Sequence, residues 1–228
     1  DFDYVFSERV MIAGCDENPT EAFDVNAYFV GKLMERCRGV LGLVLGSTGA
    51  VYLPGTEPLD EQGTLGPSNG YSVSKFGGEV LGSFLSTQWQ IPTCMLRYYH
   101  PYGPTGGRPT EWAGQIAHGE EIPVNRRQEP VYTPLYMTDV VRYTIEAARH
   151  CSVPARPINI GGAEVRSQTE IIATLAGALG KEPRLTETDE VTGCWAADIG
   201  LMSRLMGLPA VTVGDGLAKV ARAVSGQG

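Results

Sequence analysis

Apolar positions along the chain fall into two alternating patterns. Short, nearly continuous apolar runs occur at 3–7 (DYVFS), 40–46 (VLGLVLG), 93–98 (TCMLRY) and 157–160 (PINI). Runs of this length, bounded by turn residues, predict parallel strands covered on both faces. Between them apolar residues recur at helical spacing. Residues 20–37 carry Ala22, Phe29, Val30, Leu33, Met34 and Cys37 on one stripe, and 71–88 carry Leu81 and Leu85 on another. A further helix is predicted over 138–150. Strands alternating with helices predict an α/β fold of βαβ units around a parallel sheet.

Past residue 100 the pattern becomes irregular, with "HPYGPTGGRPTEW", a short helix and then "EEIPV". "SQTE" at 167–170 has the form of a capping box, Ser167 at the N-cap and Glu170 reaching back, and its helix is expected to end near Gly180. Two last helices flank "GLPAV" (207–211). The expected organisation is a sheet-bearing unit from residues 1–100 with segments near 134–162, and a small lobe drawn mainly from 101–133 and 163–228. No internal repeat or low-complexity segment is visible.

Composition narrows the function classes. The 228 residues, 43% hydrophobic and 19% charged, suffice for one domain with a core or a domain plus a lobe. A net charge of −8 gives no footprint for nucleic acid or an anionic membrane surface. No apolar stretch reaches a membrane-spanning length, and no signal peptide is visible. Five cysteines (Cys15, Cys37, Cys94, Cys151, Cys194) are widely spaced and odd in number. They match neither a disulfide framework nor a zinc site, so a reducing, cytoplasmic setting is expected.

"GYSVSKFGGEVL" (70–81) holds the candidate chemistry. Tyr71 and Lys75 are four apart at the start of a predicted helix, which sets both side chains on one face. An ammonium beside a phenol favours the phenolate, making a proton donor or acceptor nearer neutral pH. A buried strand ends in Ser47 and Thr48, placing two hydroxyls at the sheet edge where open α/β sheets bind ligands.

"VLGSTGAVYLPGTEPLDEQGTLGPSNGYSVSK" (44–75) resembles the active-site segment of the extended short-chain dehydrogenase/reductases, the NAD-dependent epimerase/dehydratase branch. "LRYYHPYGP" (96–104), "PLYMTDVVRYTIEAA" (134–148), "INIGGAEVRSQTEI" (158–171) and "DIGLMSRLMGLPAVTVGDGL" (198–217) follow in that family's order. "NPTEAFDVNAYFVGKLME" (18–35) matches the family helix with a structural asparagine, here Asn26. The resemblance implies a Rossmann-like doubly wound parallel sheet, incomplete on its N-terminal side, with a small C-terminal substrate lobe. It implies Tyr71 as general acid/base, and Lys75 as binder of the nicotinamide ribose that also lowers the tyrosine pKa. It also implies Thr48 as hydrogen-bond partner of the reacting oxygen, and Ser47 and Tyr98 beside the nicotinamide. NAD or NADP is the implied cofactor.

The chain departs from the family pattern at several points. Gly49 and Ala50 stand where the dehydratases carry an Asp-Glu pair, which disfavours water elimination. His100 replaces an asparagine that touches substrate, and is a substrate-contact candidate in its turn. Arginines expected before Asp139 and in "TGCWAAD" are missing, with Arg126 and Arg127 the nearest replacements. A diphosphate is best held by bidentate arginines, so weak binding of nucleotide sugars is expected. No G-x-G-x-x-G run precedes Tyr71, and the first strand runs into Ser7-Glu8-Arg9, where the family has small residues. Either residues precede Asp1 in the parent protein or the cofactor site has degenerated.

Two functions follow from this pattern. One is an NAD(P)-dependent epimerase or reductase with a Thr-Tyr-Lys centre acting on a hydroxyl or carbonyl substrate, such as a sugar derivative. The other is a truncated relative without dinucleotide, serving as a binding or scaffold protein or as a redox-independent acid/base catalyst. The expected partner is a small molecule. The apolar 3–7 edge further calls for upstream residues, a second copy or another chain to cover it.

Overall fold

The computed structural model describes residues 2–55, 57–190 and 196–226. Along the chain, β1 (Tyr4–Ser7) leads to α1 (Pro19–Phe23), a π turn (Asp24–Tyr28) and α2 (Phe29–Arg36). Then come β2 (Gly42–Thr48), α3 (Gly70–Trp89), β3 (Thr93–Tyr98), β4 (Pro101–Tyr102) and α4 (Arg108–His118). β5 (Glu121–Val124), β6 (Val131–Tyr132), β7 (Leu135–Tyr136), α5 (Met137–Glu146) and β8 (Arg156–Ile160) follow. The chain continues through β9 (Arg166–Ser167), α6 (Gln168–Leu179), β10 (Arg184–Glu187), α7 (Gly200–Met206) and α8 (Val213–Val224).

The four apolar runs form one parallel sheet, in the order β1-β2-β3-β8. Alternation along a strand decides which residues face which helices. Leu43 and Leu45 pack with Met34, Leu85 and Ile91 beneath α2 and α3. Val44, Cys94 and Leu96 pack on the opposite face with Tyr143, Ala147, Met202 and Met206 from α5, its 3₁₀ extension and α7. Both faces are thus covered, as continuous apolar runs require. Among the described residues, no strand pairs with the outer edge of β1, where Tyr4 and Phe6 are exposed.

Instead of one helix over 20–37, a π turn interrupts it at Asp24–Tyr28. The extra residue in that turn directs Asn26 inward, where it is 2% exposed. Its amide accepts from Met11 N (2.8 Å) and donates to Met11 O (2.9 Å) and Ser74 Oγ (2.9 Å). Ser74 in turn donates to the Tyr71 carbonyl. Asn26 therefore ties the segment after β1 to the helix that carries Tyr71. Gly78 permits this approach, since a Cβ there would lie 2.4 Å from the Asn26 carbonyl oxygen.

A second core joins α4, α6 and α8 with the parallel β5–β10 pair, centred on Trp112, Ile116, Ile122, Ile171, Leu175 and Leu217. The expected capping box forms, with Ser167 and Glu170 satisfying each other's backbone, and α6 ends on Gly180 at φ 63°. Asp139 connects α5 to the turn before α8, accepting from Ala210 N (3.1 Å) and Val211 N (2.8 Å).

Candidate active site

A cavity of about 560 Å³ opens at the C-terminal ends of β1, β2 and β3. Its walls bring together Ser47, Thr48, Tyr71, Lys75, Tyr98 and His100, and add Glu8 and Arg108. Tyr71 stands in the first turn of α3, whose start is fixed by a reciprocal cap between Asn69 and Ser72. Its hydroxyl is hydrogen-bonded to Thr48. Thr48 ends β2, and its Oγ1 also accepts from Ala50 N at 3.2 Å, which orients the side chain. Two hydroxyls on separate elements thus converge on one point of the cavity.

Lys75 behaves differently from the sequence expectation. Its ammonium, on a residue 6% exposed, donates to the Gly46 carbonyl at 2.5 Å. Burial lowers its pKa, while Glu8 and Glu79 act in the opposite direction. Tyr71 is not made more acidic: burial raises its pKa, with the Thr48 hydrogen bond acting in the opposite direction. The i,i+4 spacing puts the two side chains on one face, but the lysine spends its charge on a carbonyl and two carboxylates. In this state the phenol is held protonated at neutral pH.

Ser47 faces the other way. It shares the side of β2 used by Leu43 and Leu45, and its Oγ donates to Glu79 Oε1 at 2.5 Å beneath the cavity floor. The residue still borders the cavity, with its hydroxyl engaged by Glu79. Tyr98 places its hydroxyl between Glu8 Oε1 (3.0 Å) and Thr144 Oγ1 (2.7 Å). His100 sits at φ 48°, with Nδ1 accepting from Thr133 N (3.2 Å) and the ring edge-on to Tyr132. Burial pushes its pKa down to about 4, so the imidazole is neutral and carries its proton on Nε2.

Three features are not assigned a place in the site from the sequence. Glu8 is the first: its carboxylate projects over Gly46, where a Cβ would meet Oε2, and hydrogen-bonds Tyr98. Partial desolvation pushes its carboxyl up from the ordinary range, although the residue keeps solvent on one side. The second is a buried network: Arg97 donates to Glu79 (3.0 and 2.6 Å) and to Tyr52, whose hydroxyl reaches Asn159 Oδ1 at 2.9 Å. Glu79 continues the Tyr71–Lys75 stripe by one more i+4 step, and Arg97 is the one charge in an apolar strand. Both signals were legible. The third is Tyr99, whose ring lies so close over Gly49 that a Cβ there would come within 2.5 Å. That packing explains why a small residue stands in place of an acid.

Arginines are scarce in the cavity. Arg126 pairs with Glu187 (2.9 Å) and Arg127 with Asp189 (3.8 Å), both pairs solvent-exposed. Neither lines the cavity, whereas Arg108, paired with Glu111, does. Among the described residues no cluster of His, Cys, Asp and Glu has metal-binding form, and no helix is long and apolar enough to cross a membrane. Two of the motifs read from the sequence, 44–75 (at Thr56) and "TGCWAAD" (192–198), extend partly outside the described residues.

Comparison with known proteins gives a consistent result. Residues 2–161 match the family model described as the NAD dependent epimerase/dehydratase family. An uncharacterized UDP-glucose epimerase, YtcB, of Bacillus subtilis (strain 168) is 27% identical over 212 residues, covering 88% of this chain and 66% of that protein. A UDP-glucuronate 4-epimerase of Thermodesulfobacterium geofontis (strain OPF15) is 28% identical over 226 residues, covering 92% and 68%. The chain spans about two-thirds of the length of these curated relatives. In fold it superposes on the UDP-glucuronic acid 4-epimerase of Bacillus cereus, solved with UDP-glucuronic acid and NAD, at a TM-score of 0.87. That match has 24% identity and covers 98% of this chain and 76% of the other. The chain belongs to the NAD dependent epimerase/dehydratase family.

Proposed function

We propose that this chain carries the acid/base centre of an NAD-dependent sugar epimerase, acting on a UDP-hexose or UDP-hexuronate. The observation that supports it most is the hydrogen-bonded Tyr71–Thr48 pair, set beside Lys75 in a cavity of about 560 Å³. Tyr71 takes and returns the proton of the reacting hydroxyl, and Thr48 holds that oxygen in line. Lys75 and Tyr71 are the residues suited to a ribose diol, one as cation and one as hydroxyl. Bound NAD would supply reversible hydride acceptance. The substrate class rests on the names of the relatives. Arg108 is then the cavity's own cation for a diphosphate, in place of the missing family arginines. The test is NMR of UDP-glucose and UDP-glucuronate incubated with the protein and NAD. The C4 epimer is expected, and retention of both starting sugars under saturating NAD overturns the assignment.

Glu8 favours a second reading, a dinucleotide-free relative, because its carboxylate stands beside Lys75 in the same cavity. The two readings separate on one variant. Removing a carboxylate that competes for Lys75 and repels a diphosphate is expected to tighten NAD binding by roughly tenfold, worth about 1.4 kcal/mol. Calorimetry on Glu8→Gln measures it. No NAD binding to either form supports the dinucleotide-free reading.

A further inference from the structure

Cys94 in β3 and Cys151 beyond α5 are distant in sequence and lie at the end of the sheet opposite the cavity. The backbone brings them face to face. Thr93 and Ser152 exchange both of their hydrogen bonds, Thr93 N to Ser152 O at 2.9 Å and Ser152 N to Thr93 O at 3.4 Å, as an antiparallel bridge. One step along each strand from such a pair comes a non-hydrogen-bonded pair, whose Cα atoms are only about 4.5 Å apart. Here that pair is Cys94 and Cys151. A disulfide accommodates Cα separations of about 4.4–6.8 Å.

The side chains agree with the backbone. Both sulfurs lie in one cluster with Val44, Ala147 and Ala148, and the Cys151 thiol donates to Leu43 O at 3.4 Å. The two thiols also hydrogen-bond to each other. They are unequal in access and acidity. Cys94 is fully buried, and its pKa is raised by that hydrogen bond and by burial. Cys151 is half-buried and its pKa is lowered, chiefly by the Cys94 hydrogen bond, with Arg156 assisting. The more accessible thiol is therefore also the better thiolate.

We propose that Cys94 and Cys151 form a reversible dithiol/disulfide site that takes a low-molecular-weight disulfide of the glutathione type as its oxidant. The Cys151 thiolate attacks one sulfur of the oxidant, breaking its S–S bond and releasing one thiolate. Cys94 then loses its proton and attacks the Cys151 sulfur of the mixed disulfide. That bond breaks, the second thiolate leaves, and the Cys94–Cys151 bond remains. Two cysteine thiols are oxidised by two electrons, and the oxidant is reduced to two thiols. The new bond pins the start of β3 to the segment entering β8 and leaves Tyr98, at the far end of β3, in place.

The experiment treats the full chain with excess glutathione disulfide, followed by alkylation, intact mass and peptide mapping. Expected are the loss of two hydrogens and a Cys94–Cys151 cross-linked peptide. Tm is expected to rise by roughly 5–15 °C, because the bond closes a long loop in the unfolded chain. Dithiothreitol should reverse both changes. In Cys94→Ala a glutathione adduct should accumulate on Cys151, and in Cys151→Ser no cross-link should form. A stable adduct on Cys151 in the unmodified sequence, a cross-link to another cysteine, or two thiols that remain fully alkylatable would each overturn the proposal.

Discussion

Replacing Tyr71 with phenylalanine is expected to lower turnover of the proposed UDP-sugar substrate by about 10²–10⁴-fold, the contribution of a positioned general acid/base. The phenyl ring keeps the packing at the start of α3 and deletes only the hydroxyl. Thr48 loses one partner but retains the Ala50 N–H, so no buried group is orphaned. Stability should change by no more than about 1 kcal/mol, the net worth of an ordinary hydrogen bond. The pH profile adds a second readout. Burial raises the Tyr71 pKa in the ligand-free state, so the base form grows as pH rises. Turnover limited by that base climbs through the alkaline range, and the climb should vanish in Tyr71→Phe. Full turnover with a large loss of stability would make the tyrosine structural.

How much of this site the sequence discloses depends on whether a residue's role is local. The strands are legible because an apolar run covered on both faces needs no knowledge of its neighbours. Tyr71 and Lys75 are legible because helix geometry alone puts them on one face, and Thr48 because it ends a strand. What Lys75 does with its charge is not local. It depends on Gly46 O and on carboxylates just after β1 and on α3, while burial, not the lysine, sets the direction of the Tyr71 shift. Glu8 was visible as a bulky charge, but only the fold shows it hydrogen-bonded to Tyr98. His100 depends on a left-handed backbone that no pattern of hydrophobicity encodes. The facing cysteines depend on a single bridge between Thr93 and Ser152, formed by segments remote in sequence.

Glu79→Ala is expected to give the largest loss of stability of any substitution near the site, about 3–5 kcal/mol. Arg97 and Glu79 are 5% and 7% exposed and pair at 2.6 Å, so removing the carboxylate strands a guanidinium charge in the core. A buried pair of this kind adds little over a well-packed apolar pair, but breaking it from one side leaves an uncompensated ion. The damage spreads along the network. Ser47 loses the acceptor that fixes its hydroxyl, and Arg97 is free to draw on Tyr52, which in turn holds Asn159 on β8. Because Ser47 adjoins Thr48, the variant should also disturb the floor of the cavity, raising KM as well as lowering the unfolding midpoint. Glu79→Gln keeps one acceptor for Arg97 and should lose less than the alanine variant. Urea unfolding of both variants measures the effect. A loss below about 1 kcal/mol for Glu79→Ala, in the range of a surface ion pair, would show that water reaches Arg97 and that the network does not hold the cavity floor.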